Sequence, residues 1–287
     1  MDRSILADEK FEEKQRGSLY SREIEKARQI IIRKHSPCKG TGFIDASSKV
    51  QIPSILSESG PEIIVNRLKV CPCVKSFEFA KRFILSNIPY KNLVNQQIYK
   101  KEVIDVITKS SIELRDEIIK PILSNMSKVK NNPYGLTFLG PNGTGKTFIG
   151  LKILYKAIAL GYTAHYIEMS SLLKMFRKAY SDSMIDDVCE EILQVDFLMI
   201  DELGNESKQS DFSVGEFKSL YKKRVSEKKP TILVSNFSTI EFVEAYGTSV
   251  ESIVFSFSKV FSFEKTPNVR KLRNNLEKDS FFRKLKG

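Results

Sequence analysis

Eight consecutive residues constrain this chain more than any others. Gly140-Pro141-Asn142-Gly143-Thr144-Gly145-Lys146-Thr147 matches the spacing G-x-x-x-x-G-K-[ST] at every fixed position. The pattern works only between a strand and a helix, and both are legible. Leu136-Thr-Phe-Leu139 reads as a short buried strand, and Phe148-Ile-Gly-Leu-Lys-Ile-Leu-Tyr155 as the start of a helix. Gly140, Gly143 and Gly145 let the backbone wrap close to phosphate oxygens. Loop amides and the helix N-terminus add partial positive charge. Lys146 is placed to reach the β- and γ-phosphates of ATP, and Thr147 to offer its hydroxyl to Mg²⁺. An accidental glycine-rich turn would lack the strand and the helix.

A second motif fits the other half of such a site. In Val195-Asp196-Phe197-Leu198-Met199-Ile200-Asp201-Glu202 an apolar run reads as a buried central strand ending in two carboxylates. Open α/β sheets bind ligands at that end of their strands. Asp201 would hold Mg²⁺, and Glu202 would orient and deprotonate an attacking water. A third run, Thr231-Ile-Leu-Val-Ser-Asn236, ends in an asparagine that could polarise the same water or touch the γ-phosphate. The alternative is an ordinary strand-terminal asparagine in a turn. From Tyr134 onward strands alternate with helical stretches, which predicts a parallel sheet with helices on both faces.

The N-terminal part is built differently. Residues 1–34 alternate charges in a helical pattern, with a thin apolar stripe of Ile24, Ala27 and Ile31. The spacing predicts exposed helices that need a partner or a neighbouring domain to bury the stripe. Over residues 35–75, Pro37, Gly40, Gly42, Pro53, Gly60, Pro61 and Pro72 break up short apolar runs, which points to a small irregular module. His35-x-x-Cys38 and, after 32 intervening residues, Cys71-x-Cys73 supply one imidazole and three thiols, a complete set for Zn²⁺. The C-x-C spacing is tighter than usual, and unrelated reduced cysteines are the alternative. Cys189 reads as a buried small apolar residue. Helical signals return over Ser76–Ser86 and over residues 101–130, the latter interrupted by Pro121.

Composition narrows the partners. Lys and Arg outnumber Asp and Glu by 46 to 35, a formal charge of +11 that favours a polyanion or serves solubility alone. Residues 265–287 hold eight Lys or Arg against two acidic residues, with Phe281 and Phe282 interleaved. That stretch suits a nucleic-acid backbone, or a terminal helix whose phenylalanines pack inward. No stretch has the length of a membrane span, and Met1–Lys10 lacks the apolar core of a signal peptide, so a cytoplasmic protein without membrane contact is expected.

Taken together, G-P-N-G-T-G-K-T, F-L-M-I-D-E-L-G and T-I-L-V-S-N-F resemble the AAA+ ATPases of the DnaC/DnaI/IstB helicase-loader group, over roughly residues 86–275. Ser86-Asn-Ile-Pro-Tyr90 resembles that family's entry into the ATPase. C-K-G-T-G-F and the later C-P-C resemble the cysteine-containing N-terminal module of some members. The resemblance implies an α/β fold: a P-loop AAA+ parallel sheet with flanking helices, preceded by a small helical and zinc-binding module. It divides the chain into a helicase-interaction region, 1–85, and an ATPase domain, 86–287. It implies a hexameric replicative helicase and single-stranded DNA as partners, with ATP-dependent self-assembly left open. It also implies Asn236 as sensor 1 and Arg270 as sensor 2. One departure stands out. Where the family carries an arginine that reaches a neighbour's ATP site, this chain reads Val250-Glu-Ser-Ile-Val-Phe-Ser-Phe-Ser258, with no arginine. Such an arginine is worth roughly 10³–10⁵ in rate, so hydrolysis by the chain alone is expected to be slow. The alternatives are a transposition helper ATPase of the IstB kind and an ATP-gated adaptor that scarcely hydrolyses. No guanine-recognition Asn-Lys-x-Asp and no Leu-Ser-Gly-Gly of transporter ATPases occurs.

Overall fold

The computed structural model describes residues 21–31, 43–45, 48–51, 62–65, 68–89, 120–180, 190, 193–205, 210–271, 274, 275, 278 and 282. The chain divides into two compact units, Met1–Leu85 and Ser86–Gly287.

In the first unit, helix α1 (Ser21–Ile31) precedes four short strands, β1 (Phe43–Asp45), β2 (Ser48–Gln51), β3 (Glu62–Val65) and β4 (Leu68–Val70). β1 pairs with β4 and β2 with β3, both antiparallel, so the stretch read as irregular contains two small ladders. Helix α2 (Pro72–Leu85) follows, opening on Pro72, whose missing N–H is one the first turn leaves unpaired anyway. The apolar stripe of α1 differs from expectation. Ile24 is buried with Phe77, and Ile31, Ile84 and Leu85 pack around them, so the stripe is covered from within the unit. The residues that cover it recur at helical spacing on α2, a pairing that periodicity in α1 alone does not reveal.

Among the described residues, the first helices of the second unit are the short α3 (Lys120–Ser124) and α4 (Met126–Lys130). Pro121 lies in the first turn of α3, where a helix tolerates it. The rest of the unit alternates: β5 (Gly135–Leu139), α5 (Lys146–Ala159), β6 (Ala164–Glu168), α6 (Met169–Ala179), β7 (Phe197–Leu203), α7 (Asp211–Ser226), β8 (Thr231–Ser235), α8 (Thr239–Tyr246), α9 (Thr248–Ser256) and β9 (Ser258–Ser262). The five strands form one sheet in the order β6-β7-β8-β5-β9, with every pairing parallel. This is the expected α/β architecture with flanking helices.

The sheet is covered on both faces, which is why its strands read as continuous apolar runs. The two-residue period of β7 sorts its side chains. Leu198 and Ile200 join a core with Leu172, Leu173, Phe217 and Val254 from α6, α7 and α9. Met199 points the other way, to α5, where a Cβ on Gly150 would lie 2.6 Å from its sulfur. Asp201 follows Met199 by two residues, so strand geometry turns it toward the face that α5 covers.

Arg224 locks the back of this layer. It is 1% exposed, and burial lowers its guanidinium to about 10. Its Nε donates to the Thr231 hydroxyl at 2.9 Å, Nη1 to the Leu193 and Val195 carbonyls, and Nη2 to the Pro230 carbonyl at 3.0 Å. The side chain thereby ties α7 to the entries of β7 and β8. Arg224→Met keeps much of the volume but strands these acceptors, each costing about 1–3 kcal/mol when buried without a donor. It is expected to destabilise the unit by about 3 kcal/mol. Thermal unfolding followed by circular dichroism should show a melting temperature lower by about 6–12 °C.

Candidate nucleotide site

The residues singled out in the second unit converge on the carboxyl edge of the sheet. The loop from Gly140 to Gly145 joins β5 to α5. It leaves the strand through backbone that only glycine adopts easily, with φ of +127° at Gly140 and +79° at Gly143. Space forbids a side chain as well. A Cβ on Gly140 would lie 2.9 Å from the Phe263 backbone, and one on Gly143 would lie 2.4 Å from the Asn268 amide. Pro141 and Asn142 are exposed at the loop's crown. The Thr144 hydroxyl donates back to the Pro141 carbonyl at 3.0 Å.

Lys146 and Thr147 stand in the first turn of α5. The Lys146 ammonium is 4% exposed and donates to the carbonyls of Gly140 at 2.7 Å and Pro141 at 2.8 Å. Burial lowers it from 10.5 to about 8, and nearby Asp201 offsets part of that. A buried cation held by two neutral carbonyls suits an anionic ligand.

Asp201 is 3% exposed. Burial pushes its carboxyl up from the ordinary range. The Glu202 N–H and the Thr147 hydroxyl pull it down, and the Tyr166 hydroxyl does so too. Glu202 N lies 2.8 Å from Oδ1, and the Tyr166 hydroxyl lies 3.3 Å from Oδ2. Tyr166 is itself raised, by burial first and by Asp201 next. The Thr147 hydroxyl and the Asp201 carboxylate thus meet as two hard oxygens beside the loop, a donor set that suits Mg²⁺. Glu202 adopts φ of +56°, rare for a residue with a side chain, and its side chain is exposed. It sits in a register shift between Ile200 and Leu203 where β7 pairs with β8.

Asn236 follows the last residue of β8, beside this bulge. Its neighbour Phe237 accepts the Gly140 N–H through its carbonyl at 2.8 Å. Arg270 is brought to the loop by its backbone: its N–H donates to the Gly143 carbonyl at 3.3 Å, and its side chain is exposed. The structure therefore brings together Lys146, Thr147 and Asp201, sets Glu202 and Asn236 on adjacent strand ends, and fastens the Arg270 backbone to the loop.

Sequence reading missed four contributors: Tyr166, Ser235, Phe237 and Asn268. The Asn268 side chain donates to the Asn142 carbonyl at 2.9 Å and accepts the Lys271 N–H at 2.8 Å. A helix-capping asparagine ahead of Val269 was its only signal. Ser235 had a clearer one, as a hydroxyl closing a fully buried strand. Of the four residues read as zinc ligands, Cys71 and Cys73 are buried at the start of α2, while His35 and Cys38, like Cys189, lie outside the described residues. Among the described residues, no group of three or more His, Cys, Asp or Glu could hold a metal ion, and no helix is long and apolar enough to cross a membrane.

Comparison with known proteins gives a consistent picture. Residues 98–251 match the family model described as IstB-like ATP binding protein. A protein of Geobacillus stearothermophilus, described as an ATP-binding protein of insertion sequence IS5376, is 28% identical over 166 residues, 58% of this chain. The chain spans 61% of that relative's length. An IS21-like insertion-sequence ATP-binding protein of Bacteroides fragilis is 32% identical over 72 residues, 25% of this chain and 27% of the relative. Among solved structures, the DnaC helicase loader is 20% identical, with 50% of this chain and 85% of that chain covered and a TM-score of 0.46.

The charge state of Lys146 generates a prediction about nucleotide binding. The free site holds this ammonium near 8, and phosphate oxygens would return it toward its ordinary value. Between roughly pH 8 and 10 the complex then binds more protons than the free protein, so binding takes up a proton and weakens as pH rises, by up to about tenfold per unit. Below pH 8 both forms are charged and the effect vanishes. Calorimetry in metal-free buffers of different ionisation enthalpy should show this uptake, and Lys146→Ala should lose both the uptake and tight ATP binding.

Proposed function

This chain belongs to the IstB-like ATP binding protein family, and on that premise we propose that it is a P-loop ATPase whose nucleotide state controls the assembly of a larger machine on DNA. The reading rests on buried Lys146 and Asp201 meeting half-buried Thr147 at the strand ends where Glu202 and Asn236 also emerge.

In this reading Gly140 to Gly145 wrap the phosphates with their amides and Lys146 neutralises the β- and γ-phosphates. Thr147 and Asp201 would hold Mg²⁺, which supplies charge neutralisation on the phosphate oxygens when bound. Glu202 takes a proton from the attacking water and Asn236 orients that water. Arg270, whose backbone bonds to the loop at Gly143, would bring its guanidinium to the nucleotide. Turnover by the isolated chain is slow, because the Val250–Ser258 stretch offers a neighbour no arginine.

The partner we assign is a hexameric replicative helicase, delivered onto single-stranded DNA. Residues 1–85 hold the helicase and the basic second unit holds DNA. A separate N-terminal unit with buried Cys71 and Cys73 supports this assignment. The covered stripe of α1 shifts the docking surface from Ile24 to other positions of that unit. A second reading, a transposition helper acting on duplex DNA, is favoured by the descriptions of the two relatives, both from insertion sequences.

Two measurements test these assignments. Fluorescence anisotropy with labelled strands should show tighter binding to single-stranded than to duplex DNA, tighter with ATP than with ADP, and steep weakening with salt. A preference for duplex would favour the transposition reading. Glu202→Gln should keep ATP affinity and lose hydrolysis by about 10²–10⁴-fold.

The N-terminal unit is also proposed to carry Zn²⁺ on His35, Cys38, Cys71 and Cys73. Elemental analysis of protein purified without chelator should give about one zinc per chain. A value near zero would leave Cys71 and Cys73 as ordinary core residues.

A further inference from the structure

Ser235 closes β8 and is 1% exposed, in a strand whose other four residues are also buried. Its hydroxyl does two things at once. It donates to the Leu203 carbonyl at 2.7 Å and accepts the Phe237 N–H at 3.1 Å. Leu203 is the residue after Glu202, on the far side of the register shift. Phe237 is the residue after Asn236, and its carbonyl receives the Gly140 N–H at 2.8 Å. One hydroxyl therefore connects the bulge that carries Glu202 to the turn that carries Asn236, and through Phe237 to the entrance of the phosphate loop.

The bulge needs such a tie. Glu202 at φ of +56° sits in a strained conformation that persists only where neighbours over-determine it. Gly204, at φ of +96°, presses against the Phe237 ring, leaving no room there for a Cβ. The shift at residues 200–203 interrupts regular pairing between β7 and β8, and the Ser235 hydroxyl supplies a bond to Leu203 at that point.

We infer that Ser235 is a positioning residue for hydrolysis: its hydroxyl fixes Glu202 and Asn236 in one geometry relative to the phosphate loop. It does not meet the nucleotide itself, so ground-state binding does not depend on it. The inference rests on the proposed roles of Glu202 and Asn236.

The test compares Ser235→Ala, Ser235→Thr and Glu202→Gln in the full chain, with single-turnover hydrolysis, ATP affinity, affinity for ADP–aluminium fluoride and thermal melting read for each. A misplaced catalytic group typically costs about 10²-fold. Ser235→Ala should lose hydrolysis by about that factor and weaken ADP–aluminium fluoride binding in parallel, with ATP affinity close to that of the unaltered protein and a lower melting temperature from the two groups it leaves unpaired. Ser235→Thr keeps the hydroxyl and should restore most of the rate. Unchanged hydrolysis in Ser235→Ala, beside an inactive Glu202→Gln, overturns the inference while leaving the ATPase reading intact. Equal losses of hydrolysis and ATP affinity in Ser235→Ala also overturn it, because they indicate a general structural role. Full hydrolysis in Glu202→Gln removes the base assignment and the inference with it.

Discussion

A single buried ammonium organises the second unit. Lys146 lies almost wholly out of water and donates to two backbone carbonyls. Burying a cation this way is costly unless its surroundings are fixed, and the loop around it is fixed from three directions. Phe237 at the end of β8 receives the Gly140 N–H, Phe263 after β9 donates to the Leu139 carbonyl, and the Asn268–Arg270 segment bonds to Asn142 and Gly143. These segments are far apart in sequence. They meet because β8 and β9 flank β5 in a parallel sheet, so all three strands end on the same edge.

The same edge concentrates backbone strain and buried acidity. Below it, the β7 side chains alternate between two packed layers, and Arg224, a large buried cation there, is surrounded by acceptors. At the edge, Asp201 is buried against its ordinary preference and Glu202 takes a left-handed backbone. A regular core supporting an irregular rim is what a phosphate-handling site requires, since the reacting groups must stay aimed before substrate arrives. Ser235 and Tyr166 are where that support reaches the acidic residues.

Much of this was legible beforehand. The phosphate loop was read from spacing because each of its glycines answers a steric demand that few sequences satisfy. The β7 run was read as a buried strand because four consecutive apolar residues fit a sheet covered twice. The stripe of α1 was read as apolar and as needing a partner or a neighbouring domain to cover it, whereas residues of its own unit cover it. Periodicity reveals that a face must be buried, and it is silent on what buries it. The partner was α2, whose Phe77, Ile84 and Leu85 only the folded unit sets opposite Ile24 and Ile31.

The sequence by itself determined the local units of the site: the strand, glycine loop and helix around Lys146, and the carboxylates that close β7. Those features follow from residue type and short spacing, which act within a few residues. The tertiary structure alone decided how the units meet. The strand order, the bulge that turns Glu202, the hydroxyl bridge of Ser235 and the clasp of Asn268 on the loop all join residues separated by tens of positions. Contacts of that kind leave little trace in local pattern, because a serine or an asparagine is ordinary until a distant carbonyl stands opposite it.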